Sequence, residues 1–149
     1  MTAPRSAQAL VLLAAALLSP AGLADGTVPS IAPDRLIERQ LVEGPALVVL
    51  DVRTPAEFAA GHVPGAINVP HDQIEARLDA LASLRDKDVV VYCHTGRRAA
   101  IAVETLTRHG FSRIEHLAGD MQAWNEAHRP VEQSPVEAPA PAAPTPHPP

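Results

Sequence analysis

The stretch Val89-Val90-Val91-Tyr92-Cys93-His94-Thr95-Gly96-Arg97-Arg98 joins an apolar run, a short polar loop and the start of a helix in direct succession. A run that is apolar at every position is typical of a strand covered on both faces of a parallel sheet. The helical segment that follows spans residues 98–108 and meets a stop signal at Gly110. This order predicts an α/β fold in which Cys93 lies at the carboxyl end of a strand, where such sheets bind their ligands.

Further apolar runs on either side of this stretch predict other strands of the sheet. Residues 46–50 are apolar throughout, which indicates a second central strand. Residues 66–69 and 114–117 are shorter and more mixed, so we expect them nearer an edge or an end. Amphipathic stretches separate these runs, and this alternation is typical of a parallel sheet with crossover helices.

Three further helices are predicted from capping residues and apolar periodicity. Thr54-Pro55-Ala56-Glu57 supplies a capping residue, a proline at the first helical position and a glutamate at the third, so a short helix begins after Arg53. Asp72 and Glu75 repeat this capping pattern. Apolar periodicity predicts a buried face for three of the helices. It comprises Leu36, Ile37, Leu41 and Val42 in the first helix, Ile74, Leu78, Leu81 and Ala82 in the helix after Asp72, and Ile101, Ala102 and Leu106 in the helix after the cysteine loop.

Composition and charge limit the classes of function open to the chain. Its 149 residues fit one domain, and 46% of them are hydrophobic, which is enough for a core. The formal net charge of -5 offers no basic surface, so we expect no nucleic-acid partner. A single cysteine forms neither an internal disulfide nor a multi-cysteine metal site, and the seven histidines lack ligand spacing. We therefore expect no metal.

The two ends of the chain differ in composition from the middle. Residues 1–24 have the pattern of a secretory signal peptide, with Arg5 before an apolar stretch and Gly22-Leu23-Ala24 as a cleavage pattern. Residues 25–30 are a short lead-in, residues 31–129 the folded domain, and residues 130–149 a Pro/Ala-rich tail that we expect to be disordered. The apolar stretch is too short to span a membrane, so we expect a periplasmic or secreted protein with no stable membrane insertion after cleavage.

The loop after Tyr92 combines the features that activate a cysteine. A short loop leading into a helix directs backbone N–H groups towards a common centre, and the helix dipole adds to their attraction for an anion. Gly96 permits the tight turn, and Arg97 and Arg98 add positive charge. This environment favours the thiolate, so Cys93 is a candidate nucleophile. The alternative is an inert cysteine that packs as a small hydrophobic residue.

Three motifs in this order resemble the signatures of the rhodanese family, the thiosulfate sulfurtransferases. The loop Tyr92-Cys93-His94-Thr95-Gly96-Arg97-Arg98-Ala99 is similar to the family's active-site pattern Y-C-x-x-G-x-R-S, with Ala99 in place of the usual serine. The family's amino-terminal signature resembles Asp51-Val52-Arg53-Thr54-Pro55-Ala56-Glu57-Phe58 followed by Gly61-His62-Val63-Pro64-Gly65-Ala66-Ile67-Asn68. Its closing L-x-G-G-x-x-A-W resembles Leu117-Ala118-Gly119-Asp120-Met121-Gln122-Ala123-Trp124, with Asp120 where a second glycine is common.

This resemblance implies a five-stranded parallel sheet with helices on both faces and a ping-pong transfer of sulfur. Cys93 would take the outer sulfur of a donor such as thiosulfate as a persulfide, and pass it to cyanide or a thiol. The implied partners are thus a small anionic sulfur donor and a thiol or cyanide acceptor, and no cofactor is required. The anion would be bound by the loop residues His94, Thr95, Gly96, Arg97 and Arg98.

Two other functions stay open at this point. Phosphatases of related fold and arsenate reductases of similar loop design use C-x5-R, whereas Arg98 follows Cys93 after four intervening residues. The shorter loop favours sulfur over a tetrahedral oxyanion. Rhodanese-like domains also serve as binding or regulatory modules without catalysis, although these commonly lack the cysteine that is present here.

Overall fold

Five short strands form one parallel sheet. The computed structural model describes residues 28–134, so the predicted signal peptide and most of the predicted tail lie outside this range. The order across the sheet is β1-β5-β4-β2-β3, and every neighbouring pair is parallel. The predicted five-stranded parallel sheet is confirmed. In chain order the strands are β1 (Ser30–Ile31), β2 (Leu47–Asp51), β3 (Ile67–Asn68), β4 (Asp88–Tyr92) and β5 (Ile114–Leu117).

Helices cover both faces of this sheet. They are α1 (Pro33–Glu43), α2 (Pro55–Ala60), α3 (Leu78–Leu81), α4 (Arg97–Arg108) and α5 (Asp120–Glu126), with 3-10 turns at Gly44–Ala46, Glu75–Arg77 and Ala82–Leu84. Successive residues of β4 point to opposite faces. Val89 and Val91 therefore pack in one core cluster with α3 and α4, while Val90 and Tyr92 pack in another with α1 and α5. No helix within residues 28–134 is long and apolar enough to cross a membrane.

The position of β5 in the sheet differs from the prediction. β2 and β4 are neighbours near the centre, as their apolar sequences indicate. β5 is also interior, because Ser30 and Ile31 of β1 pair with His116 and Leu117 along its outer edge. A two-residue strand has no sequence pattern of its own, and β1 begins inside the predicted lead-in. The ordered domain thus includes residues 28–30 as well.

The carboxyl end of the domain also lies beyond the predicted boundary at residue 129. The backbone N–H of His62 donates to the carbonyl of Glu132, and that of Glu132 donates to the carbonyl of His62, both at 2.9 Å. Trp124, buried in the core, donates from Nε1 to the carbonyl of Pro130 at 2.8 Å. The predicted start of the disordered tail at residue 130 is therefore wrong. Proline-rich composition does not show which backbone groups will form hydrogen bonds with the folded domain.

Part of the predicted buried face of α1 is wrong. Leu36 is fully buried, whereas Leu41 and Val42 are 84% and 85% exposed. Each helical residue turns about 100°, so Leu41 and Val42 lie about 140° and about 120° from Leu36 around the helix, on opposite sides. Ile101 on α4 is likewise 46% exposed. Ala82 is exposed because residues 75–84 form three short helical turns instead of one continuous helix.

Candidate active site

Cys93 lies directly after β4 at the carboxyl edge of the sheet, as predicted. The residue is 1% exposed. Its Sγ accepts a hydrogen bond from the backbone N–H of Gly96 at 3.1 Å. Gly96 has a φ of +94°, a conformation that residues with a Cβ rarely adopt, so glycine allows the chain to fold back onto the sulfur.

The amino terminus of α4 follows this turn immediately. The helix begins at Arg97, and its first intrahelical contact with the turn is the N–H of Ala100, which donates to the carbonyl of Gly96 at 2.9 Å. The N–H groups of the preceding residues in the first turn have no partner within the helix. Together with the helix dipole they give this end of α4 a positive potential. The site therefore combines a thiol with an electropositive helix end.

An open cavity of about 390 Å³ gives access to Cys93. Of the predicted binding residues, Thr95, Arg97 and Arg98 line this cavity. His94 does not, because it faces a separate depression of about 290 Å³. The structure thus brings together most of the predicted loop residues and separates His94 from them. Two residues that the sequence did not assign to the site, His71 and Ile101, complete the lining.

Arg98 is held by a carboxylate from the opposite side of the site. Its Nη1 and Nη2 donate to the two carboxylate oxygens of Glu57 at 2.7 and 2.8 Å. Glu57 also accepts from the N–H and hydroxyl of Thr54 in a capping box at the start of α2. The hydrogen bonds from Arg98 lower the pKa of Glu57 to about 2, and the same pairing raises the pKa of Arg98. Most of the positive charge of Arg98 is consequently offset.

Arg97 has a different environment from its neighbour. Its side chain is exposed at the cavity that contains Cys93. It forms no ion pair with any other residue of the 28–134 segment, whereas Arg98 forms one with Glu57. The uncompensated charge at the mouth of the cavity is therefore that of Arg97.

A buried carboxylate lies beneath the loop. Asp120, at the start of α5, is 2% exposed, and its Oδ1 accepts from the backbone N–H of Cys93 at 2.7 Å. Its Oδ2 lies 3.0 Å from Nε2 of His116 on β5. The hydrogen bond to Asp120 raises the pKa of His116, against the opposing effect of burial. Over residues 28–134, no three His, Cys, Asp or Glu side chains are grouped in a way that could hold a metal ion.

Arg53 and Asp51 support the site from the end of β2. Nη2 of Arg53 donates to Oδ2 of Asp51 at 2.6 Å and to the carbonyl of Gly61 at 2.8 Å. The guanidinium also lies 5.7 Å from the centroid of the Tyr92 ring. These contacts join β2, β4 and the end of α2, so the pair stabilises the fold beside the site.

Besides His71, sequence reasoning missed three polar residues around Cys93. Glu57 carried a signal, since it is the glutamate of a capping box, but that pattern gave no sign of its pairing with Arg98, 41 residues away. Asp120 was noted only as a departure from the glycine of the closing motif. His116 lay within a predicted strand and carried no motif of its own. The contacts of Glu57 with Arg98 and of Asp120 with Cys93 join segments that are distant in sequence, whereas His116 and Asp120 are four residues apart.

Comparison with known proteins identifies the class to which this α/β domain with a single-cysteine loop belongs. Residues 34–127, more than half of the chain, match the family described as Rhodanese-like domain. The chain therefore belongs to the rhodanese-like domain family.

Individual relatives are sulfurtransferases by name. A sulfurtransferase of Allochromatium vinosum is 34% identical over 88 residues, which cover 59% of this chain and 80% of that protein. The thiosulfate sulfurtransferase PspE of Escherichia coli is 34% identical over 70 residues, covering 47% of this chain and 67% of PspE. A crystal structure of a rhodanese-related protein from Thermoplasma volcanium is 35% identical with a TM-score of 0.61, over 71% of this chain and 99% of that one. In other curated relatives the match spans 23% to 59% of the length of the relative.

Proposed function

We propose that this protein is a rhodanese-type sulfurtransferase that carries sulfane sulfur on Cys93, with thiosulfate or a similar anion as donor and cyanide or a thiol as acceptor. The observation that carries the proposal is the environment of the sulfur. Sγ of Cys93 lies at an open cavity, accepts a hydrogen bond from Gly96 N–H and faces the amino terminus of α4. These groups stabilise negative charge on sulfur, which both the thiolate and the persulfide require. The family and the names of the relatives support the same reaction class.

In the first half-reaction, the Cys93 thiolate attacks the outer sulfur of thiosulfate. A sulfur–sulfur bond forms to Cys93 as the bond inside thiosulfate breaks, and sulfite leaves with the electron pair of the broken bond. The outer sulfur of thiosulfate is already at the oxidation level of the terminal sulfur of a persulfide, so the step needs no external oxidant. Arg97 attracts the dianion to the cavity, and the N–H of Gly96 stays close to the modified sulfur.

In the second half-reaction, the acceptor attacks the terminal sulfur of the persulfide. With cyanide the product is thiocyanate, and with a thiolate it is a new persulfide. Cys93 leaves as the thiolate and is again stabilised by the loop. Splitting the transfer in this way replaces one difficult encounter of donor and acceptor by two simpler displacements.

The length of the loop argues against transfer of a phosphoryl or arsenyl group. Those reactions use a cradle with five residues between cysteine and arginine, and Cys93 and Arg98 have four between them. Two N–H groups of Arg98 moreover donate to both oxygens of Glu57, which offsets most of the charge that an oxyanion would meet. Both features favour a sulfur donor that needs only its terminal atom near Cys93.

A turnover assay separates this proposal from a binding or regulatory role. The full chain is incubated with thiosulfate and cyanide, and thiocyanate is measured for the wild type and for Cys93→Ala. We expect turnover by the wild type and none above background by Cys93→Ala. Equal rates in both proteins would overturn the proposed function. The variant Ser83→Ala, on the exposed turn after α3, is a control that keeps Cys93 intact.

We also propose that the reaction takes place after export, in a periplasmic or secreted form. The proposal rests on the signal-peptide pattern of residues 1–24, which precede the described domain. Amino-terminal sequencing of the protein recovered from the exported fraction should begin near Asp25. Recovery of the chain with Met1 intact and only inside the cell would contradict it.

A further inference from the structure

Asp120 occupies a backbone conformation that ordinarily favours glycine. Its φ is +53°, and only one other non-glycine residue within residues 28–134, the exposed His128, has a positive φ. The left-handed conformation costs a residue with a Cβ roughly 1 kcal/mol. A strained and buried residue of this kind is retained when its side chain makes compensating contacts, and strain of this kind often occurs at functional sites.

The carboxylate of Asp120 touches both ends of the turn that positions Cys93. Oδ1 accepts the backbone N–H of Cys93 at 2.7 Å. Oδ2 lies beneath Gly96, since a Cβ placed on that glycine would be 3.1 Å away from it. Gly96 in turn donates its N–H to Sγ of Cys93. The carboxylate of Asp120 therefore holds the turn in place, and its negative charge is close to the sulfur of Cys93.

The charge of this carboxylate opposes the chemistry proposed for the site. A negative group beneath the loop disfavours the thiolate and repels an anionic donor. His116 offsets that charge when it carries a proton, because its Nε2 lies 3.0 Å from Oδ2 of Asp120. A protonated His116 makes the pair neutral, and a neutral His116 leaves one negative charge under Cys93.

The other groups around His116 do not replace this partner. On the α4 side, His116 shares a cavity of about 500 Å³ with Glu104 and Arg108, whose charges are opposite. On the β1 side, the neighbours are Val28 and Ser30, which are uncharged. Within β5, the adjacent Glu115 belongs to a separate ion-pair cluster with Arg39. Asp120 is the charged group that makes a direct hydrogen bond to the ring.

We propose that Asp120 and His116 are a positioning pair that couples the proton on His116 to the reactivity of Cys93 towards anionic sulfur donors. The inference rests on the proposed function of Cys93 as the sulfur acceptor. Loss of the His116 proton leaves the hydrogen bond from the Cys93 N–H to Asp120 in place. It also leaves one additional negative charge that repels the anionic sulfur donor. Loading by a dianion then weakens at high pH, although an isolated thiol would load faster there.

The test compares two reagents on the full chain between pH 6 and pH 9. The rate of persulfide formation from thiosulfate is divided by the rate of alkylation by neutral iodoacetamide. Both reactions consume the Cys93 thiolate, so the ratio isolates the effect of local charge on an anionic donor. In the wild type we expect the ratio to fall about threefold to tenfold as His116 loses its proton. Repulsion between one negative charge and a dianion a few ångströms away produces an effect of this size.

Two variants separate the charge of the pair from its hydrogen bonds. Asp120→Asn retains an oxygen for the Cys93 N–H but removes the charge, so at pH 9 its ratio should stay near the wild-type value at pH 6. Any fall in its ratio should lie at lower pH than in the wild type, because His116 has lost the carboxylate that raises its pKa. His116→Gln leaves Asp120 uncompensated, so its ratio should be low and independent of pH. Asp120→Gly is a second charge-free variant that also relieves the strained φ, and its ratio at pH 9 should match that of Asp120→Asn. Asp79→Asn, an exposed acid on α3, controls for overall charge and should behave like the wild type.

His71→Gln tests the histidine that lines the Cys93 cavity and should retain the dependence on pH. A wild-type ratio that does not change with pH, or a dependence that survives in Asp120→Asn and disappears in His71→Gln, would overturn the inference. If no protein forms a persulfide, the sulfurtransferase proposal fails while the coupling is still tested by alkylation. In that case Asp120→Asn should react at lower pH than the wild type, and coincident alkylation profiles would overturn the coupling.

Discussion

Truncation at two nearby positions should have very different effects on stability. Ending the chain after Arg129 removes three hydrogen bonds from residues 130–134 to buried groups. Two of these join the backbones of His62 and Glu132, and the third joins Nε1 of Trp124 to the carbonyl of Pro130. Ending the chain after residue 134 keeps all of them.

The expected magnitude follows from those contacts. Each hydrogen bond contributes about 0.5 to 1.5 kcal/mol net. Val131 adds apolar contact, since its side chain lies 3.6 Å from the position of a Cβ on Gly61. The cost of ordering a short segment offsets part of this gain, so we expect the shorter protein to lose about 1 to 3 kcal/mol of unfolding free energy.

Urea unfolding of the two truncated proteins, followed by Trp124 fluorescence, measures this difference. The chain that ends after residue 134 should unfold within about 0.5 kcal/mol of the full chain, because residues 135–149 have the composition of a disordered tail. Equal unfolding free energies for the two truncations would refute the reasoning, and so would a large loss in the longer one.

Three further predictions concern the loop. Gly96→Ala should cost about 1 to 2 kcal/mol and slow persulfide formation at least about tenfold, because alanine at a φ of +94° is strained and its Cβ would lie 3.1 Å from Asp120; urea unfolding and single-turnover mass measurements check both effects. Raising the salt concentration should slow loading from thiosulfate in the wild type and in the double variant Glu57→Gln/Arg98→Gln, which removes both charges of the ion pair, but much less in Arg97→Ala, whose lost charge is uncompensated. Stopped reactions across a salt series test this, and a full salt dependence in Arg97→Ala would contradict it. The ionised Glu57 stabilises the fold above its unfolded pKa of 4.5, and this stability is lost as the pH falls towards its folded pKa of about 2, so the stability difference between wild type and Glu57→Gln, about 1 kcal/mol or less at this partly exposed pair, should disappear in acid. Urea unfolding between pH 2.5 and 6 measures that difference, and a constant difference over the range would be inconsistent with it.

The central part of the fold was predictable because its signals are local. The apolar run of β4, the capping box at Thr54 and the stop at Gly110 each lie within a few residues, and each element appears where its pattern indicates. The position of Cys93 follows directly from the order of strand, loop and helix. The buried faces of the helices were predicted less accurately, as the exposure of Leu41 shows. Each residue turns the helix by about 100°, so an apolar residue a few positions along can lie far from the buried face.

The remaining features depend on contacts between distant segments. β1 is two residues long and forms a strand by pairing with β5, a distant segment, so nothing in residues 28–31 indicates a strand. Glu132 likewise joins the fold through a bridge to the distant His62, which no local pattern indicates. In the site, Arg98 and Arg97 differ because Glu57 pairs with Arg98 alone, and this contact between distant segments exists only in the folded protein.

The most direct test of the central claim is the intact mass of the protein after brief incubation with thiosulfate and removal of the excess reagent. The wild type should gain one sulfur atom, about 32 Da, release one equivalent of sulfite and return to its original mass on addition of cyanide. Cys93→Ser should gain nothing under the same conditions. An unchanged wild-type mass, or the same gain in Cys93→Ser, would contradict sulfur transfer through Cys93.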